Sequence, residues 1–108
     1  MQHEVDLPAF AAAHADGAAV VDVREPFEYA AGHVPGARLL PMGQLPRHAD
    51  ELRQTGSVYL ICASGNRSLA AAEYLARQGV QAHSVAGGTA RWQRSGRPLA
   101  YGPHASAA

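Results

Sequence analysis

The chain has 108 residues, and its nine basic side chains, all arginine, are balanced by nine acidic ones with no block of like charge. Nothing electrostatic therefore points to nucleic acid or an anionic membrane, and no apolar stretch approaches the roughly 20 residues of a membrane span. The length suits one compact domain, and a single cysteine excludes an internal disulfide. The opening "MQHEVDLPAF" lacks the basic start and long apolar core of a secretory signal, so a reducing cytoplasm, in which a free thiol survives, is the expected compartment.

In chain order, "DLPAFAAAHADG" predicts a helix, with Asp6 as N-cap, proline in the first turn and Gly17 as the stop. A strand follows in "AAVVDV" (Ala18 to Val23), then a short helix in "EPFEYAAG" ending at Gly32. "RLLPM" (Arg38 to Met42) reads as a second strand, and "LPRHADELRQTG" as a helix with Leu45, Ala49 and Leu52 on one stripe before Gly56. "SVYLIC" (Ser57 to Cys62) is a third strand, continuous in apolar character like the first. The strongest helix is "NRSLAAAEYLARQG", in which Ser68, Ala71, Ala72, Leu75 and Gly79 share a face. A weaker strand, "AHSVA" (Ala82 to Ala86), and a last short helix in "GGTARWQRSG" complete the pattern. Residues 1–102 form the expected domain, with 103–108 as a flexible tail. Alternating strands and helices, with strands apolar on both faces, predict an α/β fold with a mainly parallel central sheet flanked by helices on both faces.

The only cysteine lies where the third strand gives way to "ASGN" and the strongest helix. In open α/β sheets ligands sit outside the carboxyl ends of strands. Successive backbone N–H groups in such a turn converge with the free amides and positive dipole end of the helix, which makes an anion site. Ala63, Ser64, Gly65 and Asn66 are small or turn-forming, and Gly65 suits a positive φ. A thiol in that cradle ionises below its free pKa of about 8.5, so Cys62 reads as a nucleophile and not as an inert core residue. Arg67 and Ser68, in the first turn of the helix, complete the expected anion site; Ser68 serves as helix cap, as donor to sulfur, or both.

Three stretches then carry a family resemblance: "VVDVREPFEYAAGHVPGARLLP" (Val20 to Pro41), "YLICASGNRS" (Tyr59 to Ser68) and "VAGGTARWQRSGRPL" (Val85 to Leu99). In this order and spacing the chain resembles the rhodanese-like sulfurtransferases, in their small single-domain form. The resemblance implies covalent catalysis in two steps, with Cys62 taking sulfane sulfur as a persulfide and passing it on, without a metal or organic cofactor. It implies a small sulfur-containing anion or a persulfide as donor, and cyanide, a thiol or a sulfur-acceptor protein as partner. The substrate site would comprise Ala63, Ser64, Gly65, Asn66, Arg67 and Ser68. Family members that handle thiosulfate well carry a basic side chain beside the cysteine, where this chain has Ala63 and Ser64.

Two alternatives stand beside this reading. One is a non-catalytic sulfur-relay or regulatory interaction module. The other is a cysteine phosphatase or arsenate reductase, whose pattern is Cys-x5-Arg, against Cys-x4-Arg from Cys62 to Arg67 here. Asp22, Arg24 and Glu73 are expected to brace the site, Glu73 as a partner of Arg24. His33 falls in a turn, the remaining histidines lack metal-ligand spacing, and Trp92 is expected in the core or against the loop.

Overall fold

A computed structural model describes residues 3–105 of the protein. In chain order it comprises β1 (Glu4–Val5), α1 (Leu7–Ala15), β2 (Ala19–Asp22), α2 (Pro26–Ala30), β3 (Arg38–Leu39), a 3₁₀ turn (Met42–Gln44), α3 (Leu45–Arg53), β4 (Ser57–Ile61), α4 (Asn66–Arg77), β5 (Gln81–Val85) and α5 (Gly88–Arg94). The five strands form one sheet in the order β1-β5-β4-β2-β3, and every pairing is parallel.

The expected helices are present, and their boundaries follow the local chemistry. The Asp6 carboxylate accepts the Ala9 N–H at 3.0 Å, capping α1 with Pro8 in its first turn. Glu25 and Glu28 form a capping box around the short α2. The β1 strand was not expected, because two residues are too few for a readable alternation; it exists through pairing of Glu4 and Val5 with Ser84 and Val85. The expected strand over Arg38–Met42 keeps only two ladder residues. Pro41 starts the 3₁₀ turn there, although Leu40 and Met42 still donate to the Asp22 and Val23 carbonyls.

Apolar side chains sort to two faces. Val58, Leu60 and Ala82 join Leu45, Ala49 and Leu52 of α3 and Ala71, Ala72 and Leu75 of α4 on one side. Val20, Ile61 and Val85 join Leu7, Phe10, Tyr29 and Trp92 on the other. Both faces of the sheet are thus covered by helices, which is why the central strands β2 and β4 read as near-continuous apolar runs. Trp92 packs edge-on against Phe10 and donates its indole N–H to the Pro98 carbonyl at 2.7 Å. From β2 the chain moves outward to β3, and from β4 it moves the opposite way to β5. The carboxyl ends of β2 and β4 therefore flank the point where the winding reverses, the place such folds reserve for ligands.

Candidate active site

Side-chain alternation along β4 directs Val58, Leu60 and Cys62 to the face covered by α4. Cys62 is the first residue past the strand, one position later than expected. Its sulfur, on a residue only 1% exposed, accepts the backbone N–H groups of Gly65 at 3.1 Å and Ser68 at 3.3 Å. The Ser68 hydroxyl lies 3.4 Å away. Helix α4 has Gly65 at its N-cap and no side-chain cap. An ordinary cap gives an oxygen to the amide of the second or third helical residue. Here the Ser68 amide, third in the helix, goes to Sγ instead, so the sulfur itself caps α4.

Burial opposes ionisation of Cys62 and is the largest single influence. The Ser68 hydroxyl, together with the amides of Ser68, Gly65 and Ser64, outweighs it and holds the thiol below the ordinary cysteine range. The arrangement favours a thiolate without a histidine base.

Glycines fix the cradle. Gly65 has φ +108°, and a Cβ there would lie 3.1 Å from the Gly87 nitrogen. Gly88 has φ +57°, and a Cβ there would lie 2.5 Å from the Cys62 carbonyl oxygen and 2.7 Å from that of Ala63. This close approach lets the first turn of α5 hold the loop, with Thr89 N–H donating to the Cys62 carbonyl at 2.8 Å and Ala90 N–H to that of Ala63 at 3.0 Å. Amides of α4 thus grip the sulfur while amides of α5 grip the backbone that carries it.

Of the other residues singled out in the sequence, Ala63 is half-buried, whereas Ser64 and Asn66 are exposed. Arg67 does not touch the sulfur. Its two terminal nitrogens meet the Glu28 carboxylate at 2.8 and 2.9 Å, which keeps the Glu28 carboxyl far below its usual range, at about 2, with burial opposing and the Glu25 amide assisting. Asp22 and Arg24 pair bidentately at 2.9 Å on each side, buried, and Arg24 also donates to the Gly32 carbonyl at 2.8 Å. Glu73, expected as Arg24's partner, is exposed on α4, and the Arg24 guanidinium is taken by Asp22 and Gly32 instead. His33 is buried in its turn, donating through Nδ1 to the Tyr29 carbonyl at 2.8 Å and stacking on the Tyr29 ring. A cavity of about 270 Å³ opens beside Ala63, with Arg24, Glu28, Thr89, Gln93 and Tyr101 among its walls.

Two residues of the site escaped the sequence reading. Glu28 appeared only as part of a short helix, and its pairing with Arg67 spans 39 positions. Ser84 lies on β5 with its hydroxyl 2.8 Å from that of Ser68 and is fully buried. The signal for it was a polar residue at the strand position in register with buried Ala82, on the face opposite Gln81 and His83.

Fold and site together define an α/β domain that presents a buried cysteine, at the end of a central parallel strand, to a ring of amides. A family model for the rhodanese-like domain matches residues 7–95, and the chain belongs to the rhodanese-like family. It is 36% identical over 102 residues to a sulfurtransferase of Allochromatium vinosum, covering 92% of this chain and 95% of that protein. It is 42% identical over 60 residues, 56% of its length, to a putative sulfur carrier protein, YrkF, of Bacillus subtilis. The chain spans only 60% and 32% of the length of the first two curated relatives it matches. Among solved structures, a rhodanese-related protein from Thermoplasma volcanium superposes with a TM-score of 0.81 at 31% identity, over 91% of this chain and 97% of that one.

Proposed function

We propose that the protein is a sulfurtransferase that carries sulfane sulfur as a Cys62 persulfide. The observation that carries this reading is the sulfur held by the Gly65 and Ser68 amides beside the Ser68 hydroxyl, with its thiol pKa lowered. The Cys62 thiolate attacks the outer sulfur of the donor. One S–S bond forms and the donor's own bond to that sulfur breaks, its electron pair leaving on sulfite from thiosulfate or on a thiolate from an organic persulfide. Cyanide, a thiol or an acceptor protein then attacks the outer sulfur of the Cys62 persulfide, and the pair of that S–S bond returns to Cys62 as thiolate. The amide ring serves the anion in both states.

The cradle is backbone, Ala63 and Ser64 add no charge, and the Arg67 cation is already paired with Glu28. This favours a persulfide on a small thiol or on a protein over the thiosulfate dianion as the natural donor. The four-residue gap between Cys62 and Arg67 supports sulfur over phosphate chemistry. Intact-protein mass spectrometry tests the proposal. Incubation with thiosulfate or a low-molecular-weight persulfide is expected to add one sulfur atom to the wild type and none to Cys62→Ala, and cyanide to remove it. No adduct with any sulfane donor would overturn the reading and leave a non-catalytic interaction module.

A further inference from the structure

The Cys62 nucleophile is served by a hydroxyl whose own orientation needs explaining. Ser68 Oγ has three neighbours: Cys62 Sγ at 3.4 Å, the Gly65 carbonyl oxygen at 3.3 Å and Ser84 Oγ at 2.8 Å. It has one proton to give. Ser84 is fully buried, and among the described residues its hydroxyl has no hydrogen-bond partner other than Ser68. If Ser68 donated to Ser84, the Ser84 proton would be buried without an acceptor and Ser68 would have nothing left for sulfur. If Ser84 donates, both hydroxyls are satisfied, and the Ser68 proton is free to turn between the Gly65 carbonyl and Sγ.

The sheet register explains how a residue so distant in sequence arrives there. Ser84 pairs with Leu60 in the parallel β4–β5 ladder, and Leu60 and Cys62 share the α4 face. Ser84 therefore lies beneath the first turn of α4, where its strand neighbours on that face are apolar.

We propose that Ser84 is a positioning residue for Cys62: its buried hydroxyl donates to Ser68 and so commits the Ser68 proton to the sulfur when the thiolate forms. With the thiol protonated, S–H donates to Ser68 Oγ and Ser68 donates to the Gly65 carbonyl. With the thiolate, the Ser68 proton turns to Sγ. Ser84 donates in both states, and its donation polarises the Ser68 O–H where the sulfur carries charge. The charged groups around this end of the sheet are Arg67 of α4, Glu28 of α2, the Asp22–Arg24 pair at the end of β2 and Arg91 of α5 beside Gly87. His83, next to Ser84, stacks on Tyr59 on the opposite face of the sheet. None of these bonds to Ser84.

The inference rests on Cys62 acting as thiolate, and its test is independent of sulfur transfer. Iodoacetamide alkylation of Cys62 is followed across pH for the wild type, Ser84→Ala, Ser84→Thr, Ser68→Ala and the Ser68→Ala/Ser84→Ala double variant. Ser84→Ala is expected to move the alkylation midpoint to higher pH and to slow the reaction near pH 7 about fivefold, the worth of one modest hydrogen bond. Ser84→Thr keeps the hydroxyl and is expected to follow the wild type. In the Ser68→Ala background the Ser84→Ala change is expected to have no further effect. An unchanged profile for Ser84→Ala overturns the proposal. So does an equal loss in the Ser68→Ala background, or a Ser84→Thr profile like that of Ser84→Ala, either of which would assign the effect to packing. Sulfur uptake by mass, measured in parallel on the wild type, separates failure of this inference from failure of the sulfurtransferase reading.

Discussion

Arg67 and Glu28 join the first turn of α4 to α2 through two parallel bonds of 2.8 and 2.9 Å, so the cation in the helix turn that follows the Cys62 loop is already neutralised. Glu28→Gln is expected to release that charge and to lower the thiosulfate concentration needed for half-maximal persulfidation, by about two- to fivefold, the scale of a partly exposed ion pair. Arg67→Ala is expected to raise it by a similar factor while changing much less for the net-neutral donor cysteamine persulfide, whose own ammonium balances its terminal sulfur. Steady-state kinetics with both donors decides the matter. Equal losses on the charged and neutral donors would make Arg67 a purely structural clamp.

The lowered pKa of Cys62 has consequences for both reactivity and stability. Alkylation of the wild type is expected to reach half its maximal rate below the free cysteine value of about 8.5, and Ser68→Ala to move that midpoint upward. A thiol whose pKa is lower folded than unfolded adds stability that is fully present above the unfolded value and is lost as pH falls through the folded value. The wild type should therefore gain stability over Cys62→Ala as pH rises across that interval, as read from urea denaturation. A constant difference between the two proteins would show that the fold does not prefer the thiolate.

Gly88 is the position where one methyl group would do most harm to the cradle. A Cβ would meet the Cys62 and Ala63 carbonyl oxygens, which are backbone atoms held by α5 itself. Gly88→Ala is expected to cost about 3 kcal/mol or more, combining a left-handed φ with overpacking, and to abolish persulfide formation. Gly36→Ala supplies the comparison: φ there is +85°, but nothing lies within 4 Å of the added carbon. Its cost should stay near 1–2 kcal/mol, about that of the backbone conformation alone, with sulfur uptake retained. Chemical denaturation of the two variants distinguishes crowding from φ strain.

The site was legible wherever it is local. Strand, cysteine, small turn and helix follow one another between Ser57 and Arg77, so the amide cradle could be read from sequence order alone. What was not legible depends on register and on distant pairing. Ser84 reaches Ser68 only because β5 lies beside β4 with Ser84 opposite Leu60. Glu28 reaches Arg67 only because α2 comes beside the start of α4. Glu73 was drawn toward Arg24 by charge alone, yet Asp22, two residues away and at the end of the same strand, already fills the guanidinium fork. The two-residue β1 illustrates the same limit, since its pairing with β5 carries no pattern of its own.

The Asp22–Arg24 pair deserves a separate test, because both partners are almost fully withdrawn from water, with side chains 0% and 7% exposed. Removing one partner from such a pair leaves the other charge buried and costs about 3–5 kcal/mol. Arg24→Met is expected to be the more damaging change, since it orphans the Gly32 carbonyl as well as the Asp22 carboxylate. Asp22→Asn leaves a neutral amide that still accepts from Arg24, so its loss should be smaller. Combining Arg24→Met with Asp22→Leu removes both charges and should recover part of the stability lost by Arg24→Met alone. Denaturation midpoints of the three proteins give the order directly. If the double variant falls below Arg24→Met, the buried pair contributes through its shape at the end of β2, and not through the cancellation of its charges.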